Sequence, residues 1–135
     1  MGLSSYRVDV QVAVSDMGRA AEFYEGKLGL AARRSGADGS KVYSSAGDTS
    51  LVVYPAPDTA GGSTATLATW HVDDVEQMVA ELTSRGVTFE QYEGVLESGF
   101  DYSTDERGIS PRAGGGSVAW FKDPDGNIFS IEGDR

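Results

Sequence analysis

The chain contains no cysteine, so disulfide bonds and thiolate chemistry are excluded. Its single histidine, His71, leaves no second imidazole for a metal centre with two histidines. It also lacks an apolar run long enough to cross a bilayer, and its first residues have neither the basic start nor the apolar core of a secretory signal. We therefore expect a soluble cytoplasmic protein that does not contact membranes.

Positive charge is also scarce. The 11 Lys and Arg residues are outnumbered by 21 Asp and Glu, which gives a formal net charge of −10. Proteins that bind nucleic acid or anionic lipid collect Lys and Arg, so neither is expected as a partner. The acidity either serves solubility alone or favours a cationic ligand.

The predicted secondary structure occurs twice in the same order. Alternating valines indicate a first strand, an Asp at the N-cap position begins each helix, and turn-rich stretches separate the later strands. Each module contains a strand, a helix and three further strands, at 8–14, 16–28, 30–34, 41–45 and 50–54 in the first and at 67–72, 74–85, 87–92, 118–122 and 127–132 in the second. A chain of 135 residues fits one domain. We therefore predict βαβββ modules at about 5–55 and 65–133, joined by a linker at about 56–64.

The two first strands also agree face by face. When Asp16 is aligned with Asp74, one face of each strand is apolar and packs on the helix, while the other carries polar groups that would line a cavity. The cavity-lining positions are Asp9, Gln11 and Ala13 in the first module and Leu67, Thr69 and His71 in the second. At the module ends, aligning Val53 with Ser130 brings Tyr43 opposite Trp120, which predicts a repeated aromatic on the cavity face.

Several short motifs occur in a characteristic order along nearly the whole chain. They are Val14-Ser15-Asp16, Ala21-Glu22-Phe23-Tyr24, Lys27-Leu28-Gly29-Leu30, His71-Val72-Asp73-Asp74-Val75, Arg85-Gly86-Val87 and Phe121-Lys122-Asp123-Pro124-Asp125-Gly126-Asn127. This combination resembles the vicinal oxygen chelate superfamily of glyoxalases, bleomycin resistance proteins and dioxygenases. The resemblance implies an α+β fold in which two βαβββ modules form curved mixed sheets around a cup-shaped cavity. It also implies a homodimer that is either a metal enzyme or a protein that binds and sequesters drugs.

The resemblance places the family's metal ligands at Asp9, Val53, Leu67 and Ser130. Only Asp9 is a plausible ligand, because valine and leucine have no donor atom and a neutral serine hydroxyl binds metals poorly. We therefore predict no metal, no cofactor and no catalytic residue. Two alternatives stay open: a displaced metal site using Asp9, His71 and Glu132, or acid–base catalysis without metal by Asp9 or His71.

Residues 93–116 form the longest stretch without a periodic pattern. It contains glycines, the acidic residues Asp101, Asp105 and Glu106, and the aromatic residues Phe100 and Tyr102, and it is predicted to be a lid over the cavity. The predicted function is sequestration of a small aromatic or cationic compound such as an antibiotic, although the aromatics of the sheet could equally belong to the core. The predicted ligand-binding residues are Asp9, Gln11, Tyr43, Val53, Leu67, Thr69, His71, Phe100, Tyr102, Trp120 and Ser130.

Overall fold

The computed structural model describes residues 2–94, 96–97 and 100–134, with residues 96–97 described by their backbone alone. It divides into two compact units. The first extends to Gly62 and includes Pro124–Asn127, and the second contains Ser63–Asp123 and the residues from Ile128 onwards. Each unit contains one mixed four-stranded sheet, so the predicted α+β class is confirmed.

The first unit begins with a short 3₁₀ helix, Gly2–Ser5, and then follows the predicted order of elements. The elements are β1 Val10–Val14, α1 Met17–Ala21, a π-helix Glu22–Lys27, β2 Ala31–Ser35, β3 Lys41–Ser44 and β4 Ser50–Pro55. The strands lie in the order β1-β4-β3-β2. The pair β1 and β4 is parallel and the other two pairs are antiparallel.

The second unit has the same topology. Its elements are β5 Thr66–His71, α2 Val75–Ser84, β6 Leu96–Glu97, β7 Phe100–Asp101, β8 Ile109–Pro111, β9 Ser117–Lys122 and β10 Ile128–Gly133. The main sheet has the order β5-β10-β9-β8, and β6 pairs with β7 separately. The predicted βαβββ order therefore holds in both units.

Both helices begin where the sequence predicts. The carboxylates of Asp16 and Asp74 accept hydrogen bonds from the third following backbone N–H, at 3.0 and 3.1 Å. The first helix changes geometry after five residues, because its continuation is a π-helix in which Leu28 N–H donates to Phe23 O at 2.9 Å. This widened turn buries the adjacent side chains of Phe23 and Tyr24 together.

One predicted strand is wrong. Residues 87–92 form no strand, and only Phe89 makes a bridge, with Phe121 of β9. The strand beside β9 is β8, which lies within the stretch predicted to be an irregular loop. Two segments therefore pair with the edge of β9 that does not face β10. β8 pairs along Ser117–Ala119, and Glu90 N–H donates to Trp120 O at 2.8 Å.

The core of each unit lies between the sheet and its helix. In the first unit Val12, Tyr24, Tyr43 and Val53 have no exposed surface. In the second unit the ring of Phe121 contacts the rings of Trp70, Phe89 and Phe129, with centroids 5.7 to 6.2 Å apart. No helix within the described part of the chain is long and apolar enough to span a membrane.

Candidate functional site

Each sheet has one face toward its helix and one face turned away from it, here called the open face, and the strand register assigns every side chain to one of them. In the first sheet Val53 lies opposite Val12, and Tyr43 lies opposite Leu51, on the helix side. Both residues are completely buried. Their prediction as ligand-binding residues is wrong, because neither reaches the open face.

The error is a shift of one residue in the comparison of the modules. Val12 pairs with Val53 as Trp70 pairs with Ile131, so the counterpart of Val53 is Ile131 and not Ser130. In the same way the counterpart of Tyr43 is Phe121, which lies opposite Phe129. Since side chains alternate along a strand, a shift of one residue exchanges the faces.

Tyr43 has a structural environment instead. Its ring stacks on that of Tyr24, with centroids 6.0 Å apart, and its hydroxyl donates to Glu25 Oε2 at 2.8 Å. Burial and the neighbouring carboxylate raise the pKa of Tyr43 far above its usual value. The hydrogen bonds from Lys41 Nζ, at 2.8 Å, and from Tyr43 lower the pKa of Glu25.

The open face of the second sheet brings together a polar pair and an indole ring. Thr69, Ser130 and Trp120 lie opposite one another on three neighbouring strands. The hydroxyl oxygens of Thr69 and Ser130 are 2.6 Å apart. Ser130 is buried, whereas Thr69 and Trp120 are half-buried and present part of their surface on this face.

The next row of this face is charged. His71 lies opposite Glu132, with His71 Nδ1 3.6 Å from Glu132 Oε1. The same carboxylate oxygen accepts a hydrogen bond from Arg112 at 3.1 Å. Leu67, two residues before Thr69, is half-buried on the same face.

Two further rings contact Trp120, and a third contacts one of them. Tyr92 and Tyr102 meet its ring nearly at right angles, with centroids 5.5 and 5.8 Å away, and Phe100 contacts Tyr102 at 4.8 Å. The predicted residues Phe100, Tyr102 and Trp120 are therefore brought together. Tyr92 was missed because its segment was predicted to be a strand, although the polar Gln91 already breaks the alternation there.

The rings are carried by residues 92–104, here called the aromatic finger, of which 95, 98 and 99 lie outside the described structure. Its base is fixed by hydrogen bonds, since Tyr92 N–H donates to Thr104 Oγ1 at 2.7 Å and Thr104 N–H donates to Tyr92 O at 2.9 Å. Gly94 N–H also donates to Ser103 Oγ at 2.8 Å. Burial, and secondarily the Glu90 carboxylate, raises the pKa of Tyr92, so its hydroxyl is neutral at pH 7.

The remaining predicted residues lie in the first unit. Gln11 is exposed on the open face of the first sheet. Asp9, just before β1, forms an ion pair with Arg7 at 2.7 Å. On β3 of the same sheet, Ser44 Oγ is buried and has no hydrogen-bond partner among the described residues.

The donor atoms do not fit the metal centre that the resemblance implies. The one-residue shift moves this position from Val53 to Val52, and neither Val52 nor Leu67 has a donor atom, while Asp9 is already paired with a guanidinium. The displaced metal site also lacks available donors, because the Glu132 carboxylate already interacts with Arg112 and His71. Within residues 2–94, 96–97 and 100–134, no three His, Asp or Glu side chains are grouped so that they could hold an ion.

A separate cavity of about 680 Å³ lies beside α2, away from the open face. Its apolar floor includes Val79 and Phe89, and Glu76, Glu106 and Arg107 lie at its rim. Arg107 forms ion pairs with Glu76 at 3.1 Å and with Asp105 at 2.8 Å. The floor residues Val79 and Phe89 are themselves 4% and 7% exposed, so these two side chains offer little surface to a ligand.

Comparison with known proteins gives a consistent result. The family model of the Glyoxalase/Bleomycin resistance protein/Dioxygenase superfamily matches residues 8–131, whereas no curated protein matches significantly. Among solved structures, TnmS3, an antibiotic binding protein from Streptomyces sp. CB03234, is 27% identical, with 98% of each chain covered and a TM-score of 0.66.

Two more distant structures share the fold alone. A glyoxalase/bleomycin resistance protein from Catenulispora acidiphila DSM 44928 is 20% identical, with 94% of this chain and 96% of that chain covered and a TM-score of 0.69. The genomically encoded fosfomycin resistance protein FosX from Listeria monocytogenes is 14% identical, with 95% and 92% covered and a TM-score of 0.68.

Proposed function

Because the chain belongs to the Glyoxalase/Bleomycin resistance protein/Dioxygenase superfamily, we propose that it binds an aromatic small molecule and leaves it chemically unchanged. The observation that carries this proposal is the half-buried ring of Trp120 on the open face of the second sheet, next to Tyr92 and Tyr102. Ring faces of this kind bind flat guests by stacking. The similarity to TnmS3, an antibiotic binding protein, supports sequestration of an antibiotic as the role.

The charge distribution favours a cationic guest. The second unit holds 13 acidic against 5 basic side chains, a formal charge of −8, whereas the first holds 8 against 6, a formal charge of −2. The ring cluster therefore lies in the unit that carries most of the negative charge. A cation over an aromatic face gains a further electrostatic attraction.

The proposed binding requires no metal. Valine, leucine and a hydroxyl already engaged by Thr69 supply no stable coordination, so no Lewis acid step is assigned to these residues. The enzymatic alternative uses His71 as a general base, oriented by the Glu132 carboxylate 3.6 Å away. Analysis of the compound after incubation separates the two, because only the alternative yields a product.

The binding experiment uses acridine orange, a flat cationic dye, and isothermal titration. Trp120→Ala should weaken binding by about 3- to 30-fold, the range expected for one stacked or cation–π contact. Tyr43→Phe serves as the matched control, because it alters an aromatic residue on the helix side. Equal affinity of wild type and Trp120→Ala, or a modified dye recovered by mass spectrometry, would contradict the proposal.

Varying the ionic strength separates the electrostatic contribution to binding from the aromatic one. Attraction to the acidic unit weakens as salt screens it, whereas the aromatic contact persists. The affinity of wild type should therefore fall with salt while the ratio between wild type and Trp120→Ala stays constant. A ratio that falls to one at high salt would show that Trp120 contributes no stacking.

We also propose a symmetric homodimer. The sheets end in the edge strands β1 and β5, and Leu3, Tyr6 and Val8 are 74 to 87% exposed. Unpaired edges and exposed apolar side chains are commonly covered by self-association. Sedimentation at micromolar concentration should give twice the monomer mass of 14.3 kDa, and a purely monomeric species would refute the dimer.

A further inference from the structure

The pair of hydroxyl groups on the open face has one more O–H donor than its internal hydrogen bond uses. Thr69 and Ser130 each have one O–H to donate, and the 2.6 Å contact between them uses only one of the two hydrogens. Neither hydroxyl bonds to any other described residue. One O–H is therefore left without an acceptor in the described part of the chain.

Burial decides which hydroxyl keeps the free hydrogen. Ser130 is 2% exposed, and a buried donor without an acceptor is costly. Thr69 is half-buried and opens onto the face that carries Trp120. The favourable arrangement has Ser130 donating to Thr69 Oγ1 and Thr69 directing its own hydrogen toward the open face.

We propose that Thr69 donates this hydrogen to a carbonyl oxygen of the bound molecule, which makes the ligand a fused-ring aromatic carbonyl compound. The inference rests on the proposed function, since it concerns the same face. Thr69 and Trp120 lie two strands apart in one row, a separation of about 10 Å at the usual strand spacing. A molecule of two or three fused rings covers this distance, so its rings stack on Trp120 while its carbonyl oxygen reaches Thr69.

The test uses two flat probes of equal size, 9-fluorenone and fluorene, which differ only in a carbonyl group replaced by a methylene. Wild type should bind fluorenone more tightly by about 2- to 10-fold, the value of one net hydrogen bond. Thr69→Val keeps the shape of the side chain but removes the donor, so it should abolish the preference. Thr69→Ser should restore it, and equilibrium dialysis measures all the affinities.

Two further variants define the source of the effect. Thr66→Val makes the same change on the same strand at an exposed position outside this face, and it should leave the preference intact. Ser130→Ala removes the bond within the pair but keeps the Thr69 hydrogen, so the preference should survive even where both affinities fall. Loss of the preference in Ser130→Ala with retention in Thr69→Val would overturn the assignment of the donor.

The outcomes also separate this inference from the proposed function. Equal binding of the two probes to wild type overturns the role of Thr69 and leaves aromatic binding standing. If wild type binds neither probe, the role of Thr69 and the proposed aromatic binding are both contradicted. Fluorene affinity within Thr69→Val serves as the internal reference, because a variant that misfolds loses both probes together and the Ser130→Ala comparison then decides.

Discussion

The two units of this protein share a topology and differ at one edge of the sheet. In the first unit the edge is the continuous strand β2, whose five residues are all exposed. In the second unit the corresponding edge is divided between β8 and the bridge at Phe89, and the aromatic finger is inserted between them. The comparison shows that an insertion at a sheet edge can build a wall of rings without changing the strand order.

The helix sides of the two sheets also differ, because the second carries more aromatic rings than the first. The first unit stacks two tyrosines and fixes one of them through the Glu25 carboxylate. The second unit packs the rings of three phenylalanines and Trp70, and the ring of Phe121 contacts the other three. The second sheet therefore packs on an aromatic layer that lies on the face opposite Trp120.

The largest expected effect comes from breaking that layer. Phe121 is 1% exposed, so Phe121→Ala should leave a cavity and lower the free energy of unfolding by about 3–5 kcal/mol. Urea unfolding followed by circular dichroism measures the loss. Phe100→Ala, which removes a half-buried ring from the finger, is the control and should cost much less. Similar losses of unfolding free energy in the two variants would show that the aromatic layer does not contribute more to stability than the finger.

A smaller effect is expected at the base of the aromatic finger. Thr104→Val removes the acceptor of the Tyr92 N–H and should cost about 1–3 kcal/mol, the penalty of an unpaired part-buried donor. Amide exchange should accelerate at Tyr92 and Gly94, and the near-ultraviolet circular dichroism of Trp120 should change. Thr88→Val, at an exposed threonine without a side-chain hydrogen bond among the described residues, is the control. Unchanged exchange at Tyr92 would show that the finger does not depend on Thr104.

Much of the fold follows from the sequence because its signals are local. Alternating valines and the caps Asp16 and Asp74 identify the strands and helices, and the repeat of these signals predicts the second module. The π-helix was not predictable in this way, since adjacent apolar residues such as Phe23 and Tyr24 do not fit a single helical stripe. The stretch 93–116 was predicted to be a lid, but the hydrogen-bonded base of the finger was not predicted, because it is fixed by side chains bonding to backbone groups 9 to 12 residues away.

The candidate site was predictable only where the register was unambiguous. The first strands of the modules align through their caps, and the structure accordingly places Leu67, Thr69 and His71 on the predicted face of β5. The module ends have no such marker, and the period of two allowed a shift that assigned Tyr43 and Val53 to the wrong face. The ligand-binding role of the remaining residues stays a prediction.

The smallest expected effect concerns pH and belongs to the first unit. The hydrogen bonds from Lys41 and Tyr43 lower the pKa of Glu25 in the folded protein, while the unfolded chain keeps its usual value near 4.5. This contribution to stability is therefore fully present above pH 4.5 and is lost as the pH falls through the lower, folded pKa. Because Glu25 is partly exposed, solvent screening limits it to about 1 kcal/mol or less.

Glu25→Gln tests this contribution through the difference in unfolding free energy from wild type between pH 7 and pH 3.5. The difference should be constant near neutrality and shrink below pH 4.5, and added salt should reduce it. Tyr43→Phe should keep part of the pH dependence, because Lys41 still binds the carboxylate. The equivalent ring in the second unit, Phe121, has no hydroxyl and therefore no such coupling to a carboxylate. A difference between wild type and Glu25→Gln that does not vary with pH would show that Glu25 acts through packing and not through its charge.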